Sequence, residues 1–258
     1  LNTRYFVFRY GDAAAGERMI DAQYCSTTQY AGTTMNGNET VFGVNFADGR
    51  IKGYPKRSPR PGARDKTFCC MYVRGNPSYG VNRFVDNADG TLTDEATGLM
   101  WTQRDSGKPM PWRDALAWAE ALSLAGHSDW RLPNAKELQS IVDYSRAPDA
   151  RDPSASLGAG PAIDLLFRLS EREAWCWTST THGDNLRFAV YIAFGRGLSA
   201  WKDRQGNPIN AHGAGCQRSD PKAGNPADYA DGLGPQGDAV RILNYALAAR
   251  NVRPDEVK

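Results

Sequence analysis

The sequence predicts an α+β chain of antiparallel sheets with two helices and a long irregular loop region. Three observations carry that reading. A two-strand pattern surrounds Asp89-Gly90, two capped amphipathic stripes follow it, and an alternating apolar run covers 188–194. The composition is globular rather than disordered, with 41% hydrophobic and 23% charged among 258 residues. The 31 basic and 29 acidic residues leave a net charge of +2, too balanced for a nucleic-acid footprint. The longest apolar runs, such as Phe188–Phe194, fall far short of the roughly 20 residues that span a bilayer, so no membrane span is expected.

Taken in order, Phe84–Asp94 reads as two short strands around Asp89-Gly90, a strong hairpin signal. Asp86, Asn87, Asp89 and Gly90 do not fall at the spacing of a calcium-binding loop, and turn chemistry explains them better. Pro111 opens a helix running to about Leu124, with Trp112, Ala115, Leu116, Ala119 and Leu122 on one face and Gly126 closing it. A second helix, about 134–144, starts at Asn134, which with Glu137 has capping-box spacing, and its stripe is Leu138, Ile141 and Val142. In the run 188–194, Phe188, Val190, Ile192 and Phe194 alternate with smaller residues, which predicts one core face. Residues 200–239 are rich in Gly, Pro, Asn, Asp and Ser and read as a long functional or irregular loop. A shorter counterpart, 53–66, contains Pro55, Pro59 and Pro61.

Two stretches resemble each other. The earlier has Tyr24–Thr28, Val41–Phe46, Gly49-Arg50 and a closing run, Tyr72–Asn76. The later has Trp177–Thr181, Phe188–Phe194, Gly195-Arg196 and a last run, Val240–Tyr245. Leu1–Phe6 also looks like Ile163–Phe167. The expected organisation is therefore the back half of one unit over 1–80 and a complete second unit over 81–258. On this reading the native polypeptide extends upstream of Leu1, whose missing half would cover Phe6, Phe8, Phe42, Val44 and Phe46.

Five cysteines, Cys25, Cys69, Cys70, Cys176 and Cys216, make neither a disulfide framework nor, with the scattered His127, His182 and His212, a zinc set. They read either as buried unpaired thiols or as one disulfide, Cys176–Cys216, with the rest free. No metal and no cofactor are expected.

Several motifs together resemble one family. Phe84–Asp94, Thr97–Trp101, Trp112 with its helix, Ser128-Asp-Trp-Arg-Leu-Pro-Asn134 and Glu137-Leu138 are similar, in order and spacing, to the Lcl C-terminal domain. That family takes its name from a bacterial collagen-like adhesin. The resemblance covers 84–250 and implies a C-type lectin-like fold, related to that of formylglycine-generating enzymes, in secreted, periplasmic or cell-surface proteins. It implies glycan binding or adhesion through long loops, mostly without demonstrated activity. The family often has a Cys in the first helix and another in the final strand; Ala119 and Ala248 stand there in this chain. If those cysteines pair in the family, their joint loss here removes about 2–4 kcal/mol of cross-link stabilisation. Ala119 and Ala248 should then lie close together.

No Gly-x-Ser-x-Gly elbow, phosphate-binding loop or His-Glu-x-x-His occurs. Formylglycine-type oxidase chemistry, one alternative, would need a reactive pair, and only Cys176 and Cys216 are at hand in the later unit. The expected function is non-catalytic recognition of a glycan or surface polymer. Aromatic platforms and planar polar side chains suit sugars, so the candidates are Trp201, Lys202, Asp203, Arg204, Asn207, His212 and Gln217, with His182, Asp184 and Asn185 in the preceding loop. The Glu-Pro-Asn and Trp-Asn-Asp runs of calcium-dependent lectin sites are absent. The other alternative is a structural subunit of a surface or filamentous assembly, held by self-association.

Overall fold

The hairpin at Asp89-Gly90 forms as its sequence dictates. The computed structural model describes residues 1–35, 37–57, 66–151, 159–234 and 236–253. Pro59 and Pro61 lie outside these. Strands β4 (Phe84–Asp86) and β5 (Thr91–Asp94) pair antiparallel, and Gly90 takes φ +90° in the turn. The Asp86 and Asp89 carboxylates accept from the backbone N–H groups of Ala88 and Thr91, which is turn chemistry. β6 (Leu99–Thr102) and β12 (Ala249–Asn251) complete a four-stranded sheet in the order β12-β6-β5-β4.

Both helices form where expected but are shorter. α1 spans Trp112–Glu120 and α2 spans Ala135–Ser140. After α1 the chain turns at Ala125 and Gly126, both at positive φ, so that Leu124 pairs with His127. After α2, Val142 leaves to bridge Ile163. The capping box is complete: Asn134 accepts from the Lys136 and Glu137 amides while the Glu137 carboxylate takes the Asn134 N–H. Ala119 and Ala248 are fully buried in one core cluster with Trp175, Trp177 and Tyr191.

The second sheet organises the molecule. Its strands are β1 (Gln23–Gln29), β2 (Thr40–Asn45), β3 (Ile51–Pro55), β7 (Trp175–Thr181), β8 (Phe188–Ala193) and β11 (Cys216–Pro221). They lie in the order β1-β2-β3-β11-β8-β7. β8 has both faces covered, not one. Ala189, Tyr191 and Ala193 join one core cluster, and Ile192 and Phe194 join another with Leu138, Trp101 and Phe167.

Residues 200–239 are not a single loop. β9 (Leu198–Lys202) and β10 (Pro208–Asn210) make a hairpin, and β11 is a central strand. β11 escapes a hydrophobicity reading because its inward side chains include Arg218 and Asp220. The expected closing strands are irregular instead: Tyr72 and Val73 are almost fully exposed, and Val240–Tyr245 makes only isolated bridges. Cys176 and Cys216 are free thiols on strands flanking β8. Two strand spacings, about 9–10 Å, exceed the roughly 7 Å limit for a disulfide, so that candidate pair is not bonded.

β1-β2-β3 and β7-β8-β11 match pairing for pairing. Across β1–β2 the register runs from Cys25↔Gly43 to Gln29↔Val41, and across β7–β8 from Trp177↔Tyr191 to Thr181↔Ala189, so each pair holds the same two-residue bulge. In each bulge a hydroxyl donates to the facing carbonyl: Ser26 Oγ to Phe42 O at 2.9 Å, and Thr178 Oγ1 to Val190 O at 2.8 Å. A returning segment then runs parallel to each outer strand, Cys69 beside Tyr24 and Tyr245 beside Cys176. Even the opening turns agree. Asn2 Oδ1 accepts from Arg4 N as Asp164 Oδ1 accepts from Leu166 N. Ile51 and Gln217, which hold matching positions, pair with each other, which puts a local two-fold axis at the seam between β3 and β11.

Candidate functional site

The seam lies beneath a cavity of about 550 Å³. On the sheet face away from Ile51 and Gln217, strand alternation presents Lys52 and Tyr54 from β3 and Arg218 and Asp220 from β11. Tyr191 of β8 lies opposite Arg218 in the register and joins the lining. Arg18, Ile20, Lys66, His182 and Asn185 also line it, and Leu233, Gly234, Gln236, Asp238 and Val240 supply a further stretch of wall, the roof.

The roof is fixed by the β9–β10 hairpin. Ser199 Oγ donates to the carbonyls of Gln236 and Gly237, and Ala200 N donates to Gly237 O at 2.7 Å. Gly237 sits at φ +58°, and a Cβ there would lie 2.4 Å from Trp201 Nε1, so a larger residue would push the indole off the roof.

Charge is arranged in pairs. Arg18 binds Asp21 at 2.6 Å, Arg50 binds Asp48 at 3.0 Å, and Arg218 binds Asp238. Asp238 also takes His212 Nε2 at 2.6 Å. Burial holds His212 well below the usual imidazole range, so the ring is neutral and, facing a carboxylate that only accepts, carries its proton on Nε2. Asp220 is fully buried; its carboxylate accepts from Arg241 N at 2.7 Å, and burial pushes it up to about 7. Lys52 Nζ donates to Gln236 Oε1 at 3.3 Å and lies 5.5 Å from the Tyr54 ring centroid, and burial together with the Arg218 and Arg50 charges brings its ammonium down to about 7. The Tyr54 hydroxyl and the Arg50 Nε are buried with no hydrogen-bond partner among the described residues.

The structure divides the residues singled out from sequence. His182 and Asn185 line the cavity. His182 Nδ1 accepts from the Asp184 and Asn185 amides, while Asp184 itself is exposed. His212 supports the roof through Asp238 rather than facing solvent. Trp201, Lys202, Asp203 and Arg204 belong to the β9–β10 hairpin: Trp201 is half-exposed above Gly237, and Lys202 and Arg204 point to solvent. Asp203 holds its own turn, accepting from Gln205 N and Asn207 N, and these bonds lower its carboxyl below the usual range. Gln217 lies on the opposite sheet face, bonded to Gly49 O. Lys52, Tyr54, Arg218, Asp220 and Asp238 were not singled out. The signal available for them was polar residues two apart in Ile51-Lys-Gly-Tyr-Pro55 and in Cys216-Gln-Arg-Ser-Asp220.

Residues 90–211 match the family model of the Lcl C-terminal domain. No curated protein and no solved structure matches the chain. The matched region runs from the turn before β5 to just past β10, so β1, β2, β3, β4, β11 and β12 lie outside it.

Proposed function

We propose that the chain, whose residues 90–211 form an Lcl C-terminal domain, is a non-catalytic extracellular or cell-surface recognition protein that binds glycan in the seam cavity. Its fold is C-type lectin-like, and the back half of a first copy joins the second through the shared sheet. The observation that carries the reading is the cavity itself. It is of small-molecule size, is lined by planar and forked polar groups beside Tyr54 and Tyr191, and holds buried donors without partners. The matched bulges and returning segments support the two-copy organisation. A non-catalytic role is supported by the thiols that an oxidase would need. Cys176 and Cys216 are buried and separated by β8, and burial raises both, Cys216 to about 12.

A second reading, assembly into a surface structure, is favoured by the apolar side chains exposed outside the sheets. Tyr5, Val7, Tyr72, Val73 and Tyr79 are each at least 80% exposed. A glycan array probed with the soluble chain, alongside its oligomeric state by light scattering, separates the two. Recognition predicts binding by a monomer that a free sugar inhibits. A blank array with concentration-dependent self-association would replace it with the assembly reading, and substrate turnover that depends on Cys176 or Cys216 would overturn both.

A further inference from the structure

The cavity is built on the seam, so it requires both strand units. Lys52 of β3 and Arg218 of β11 hold equivalent positions about the local axis and send cations to the same face. The three arginines of the lining are already paired with Asp21, Asp48 and Asp238. Among the described residues Lys52 has no carboxylate at ion-pair distance; it meets the neutral carboxamide of Gln236 and lies over the Tyr54 ring. Among the described lining residues, the cations Arg18, Arg50, Lys52, Lys66 and Arg218 outnumber the carboxylates Asp48, Asp220 and Asp238, and burial keeps Asp220 protonated up to about pH 7. The buried Tyr54 hydroxyl and Arg50 Nε add two donors without acceptors. A site of this kind lacks one anion with two or more acceptor lone pairs.

We propose that the seam cavity receives the carboxylate of a terminal sugar acid, a uronate or a sialate, with Lys52 as its charge partner and Tyr54 as a donor. The proposal rests on the saccharide reading and adds the charge of the ligand. A buried lysine with no carboxylate beside it fits the carboxylate of a ligand, and a cavity of about 550 Å³ fits a chain end rather than a run of sugars.

Binding is tied to pH. Arg218 and Arg50 oppose the charge on Lys52 and Asp48 favours it, Arg18 adds a further opposing charge, and Asp220, Asp238 and His182 face the same space. A bound carboxylate favours the ammonium, so the complex takes up a proton and weakens as pH rises through about 7. Asp220 ionises over the same range and acts in the same direction.

The test is isothermal titration of the whole chain at pH 6 and 8.5. The probes are methyl β-glucuronide, the methyl α-glycoside of N-acetylneuraminate, methyl β-glucoside and glucose 6-sulfate. The expected result is that at least one acid binds tenfold or more tighter than the glucoside, and tighter at pH 6. Lys52→Met should abolish that preference and Lys52→Arg should retain it. Because Lys52→Met removes a buried charge, its melting temperature should not fall; if it does, Gln236→Leu in the roof is the second variant and should weaken acid binding. Equal binding of glucoside and acids overturns the charge assignment and leaves the saccharide reading standing. Tighter binding of the sulfate, or failure of both acids while the array shows other glycans, also overturns it. Failure of all four probes with a blank array removes the saccharide reading as well.

Discussion

Lys52 sits one strand position from the axis and Asp220 three, and burial on this sheet face disfavours the charged form of both. Asp220 stays protonated in the native state well above the unfolded carboxyl range. The folded chain therefore binds more protons than the unfolded chain between about pH 4 and 7, and its stability falls as pH rises through that window. Asp220→Asn should remove this slope, so urea midpoints at pH 5 and pH 7 should differ less in the variant than in the parent. An unchanged difference would mean that Asp220 titrates normally. For Lys52 the native state binds fewer protons from about pH 7 to 10.5, so its contribution improves as pH rises there. These residues were not legible in advance because composition marks charged residues as solvated loop, and only pairing with a neighbouring strand turns them inward. His182 and Asn185, singled out because loops beside strand ends collect polar residues, are the two of those candidates that line the cavity.

At the level of elements, the helices and the first hairpin follow from local chemistry alone. The capping box at Asn134 is fully made, so Asn134→Ala should cost about 1 kcal/mol, up to about 2, in chemical denaturation. No loss would mean that the tertiary contacts of α2 override its cap. The two bulges provide a paired comparison. Thr178 is buried and its hydroxyl serves both Val190 O and Thr180 N, whereas Ser26 is exposed. Thr178→Val should therefore cost about 1–3 kcal/mol and Ser26→Ala less, with the midpoint of denaturant unfolding as the readout. Periodicity locates β8, and the two similar stretches fall on strands with matching pairings, but two expectations differ from the structure. β11 is hidden by its inward charges, and the earlier returning segment pairs at Cys69 rather than within Tyr72–Asn76, whereas the later one pairs at Tyr245, the last residue of the expected run Val240–Tyr245. Periodicity reports burial of apolar side chains, and neither a charged central strand nor a single backbone bridge leaves that trace.

On the scale of the whole molecule, the first 80 residues are tied to the rest through one sheet. Gly53 N donates to His212 O at 2.7 Å, Ile51 pairs with Gln217, and Phe42 packs on Tyr144 with ring centroids 4.5 Å apart. Phe42, one of the aromatics that an absent half was expected to cover, is thus covered by the later part of the chain. A shared sheet predicts one cooperative urea transition, with coincident curves from tryptophan fluorescence, whose seven indoles all follow residue 100, and from far-UV circular dichroism. Two separated transitions would show that the units fold independently. Gly53→Val tests the seam directly. A Cβ there meets Thr40 Cγ2 at 2.6 Å and His212 O at 2.8 Å, so the variant should lose about 1–3 kcal/mol.

The central claim is that recognition takes place at this seam, and amide chemical-shift mapping tests it most directly. The ¹⁵N-labelled chain is titrated with whichever glycan binds most tightly on the array. The account predicts perturbations concentrated at Lys52, Gly53, Arg218, Ser219 and Gln236, with little change at Lys202–Asn207. Shifts confined to that hairpin turn, with β3 and β11 unmoved, would contradict it.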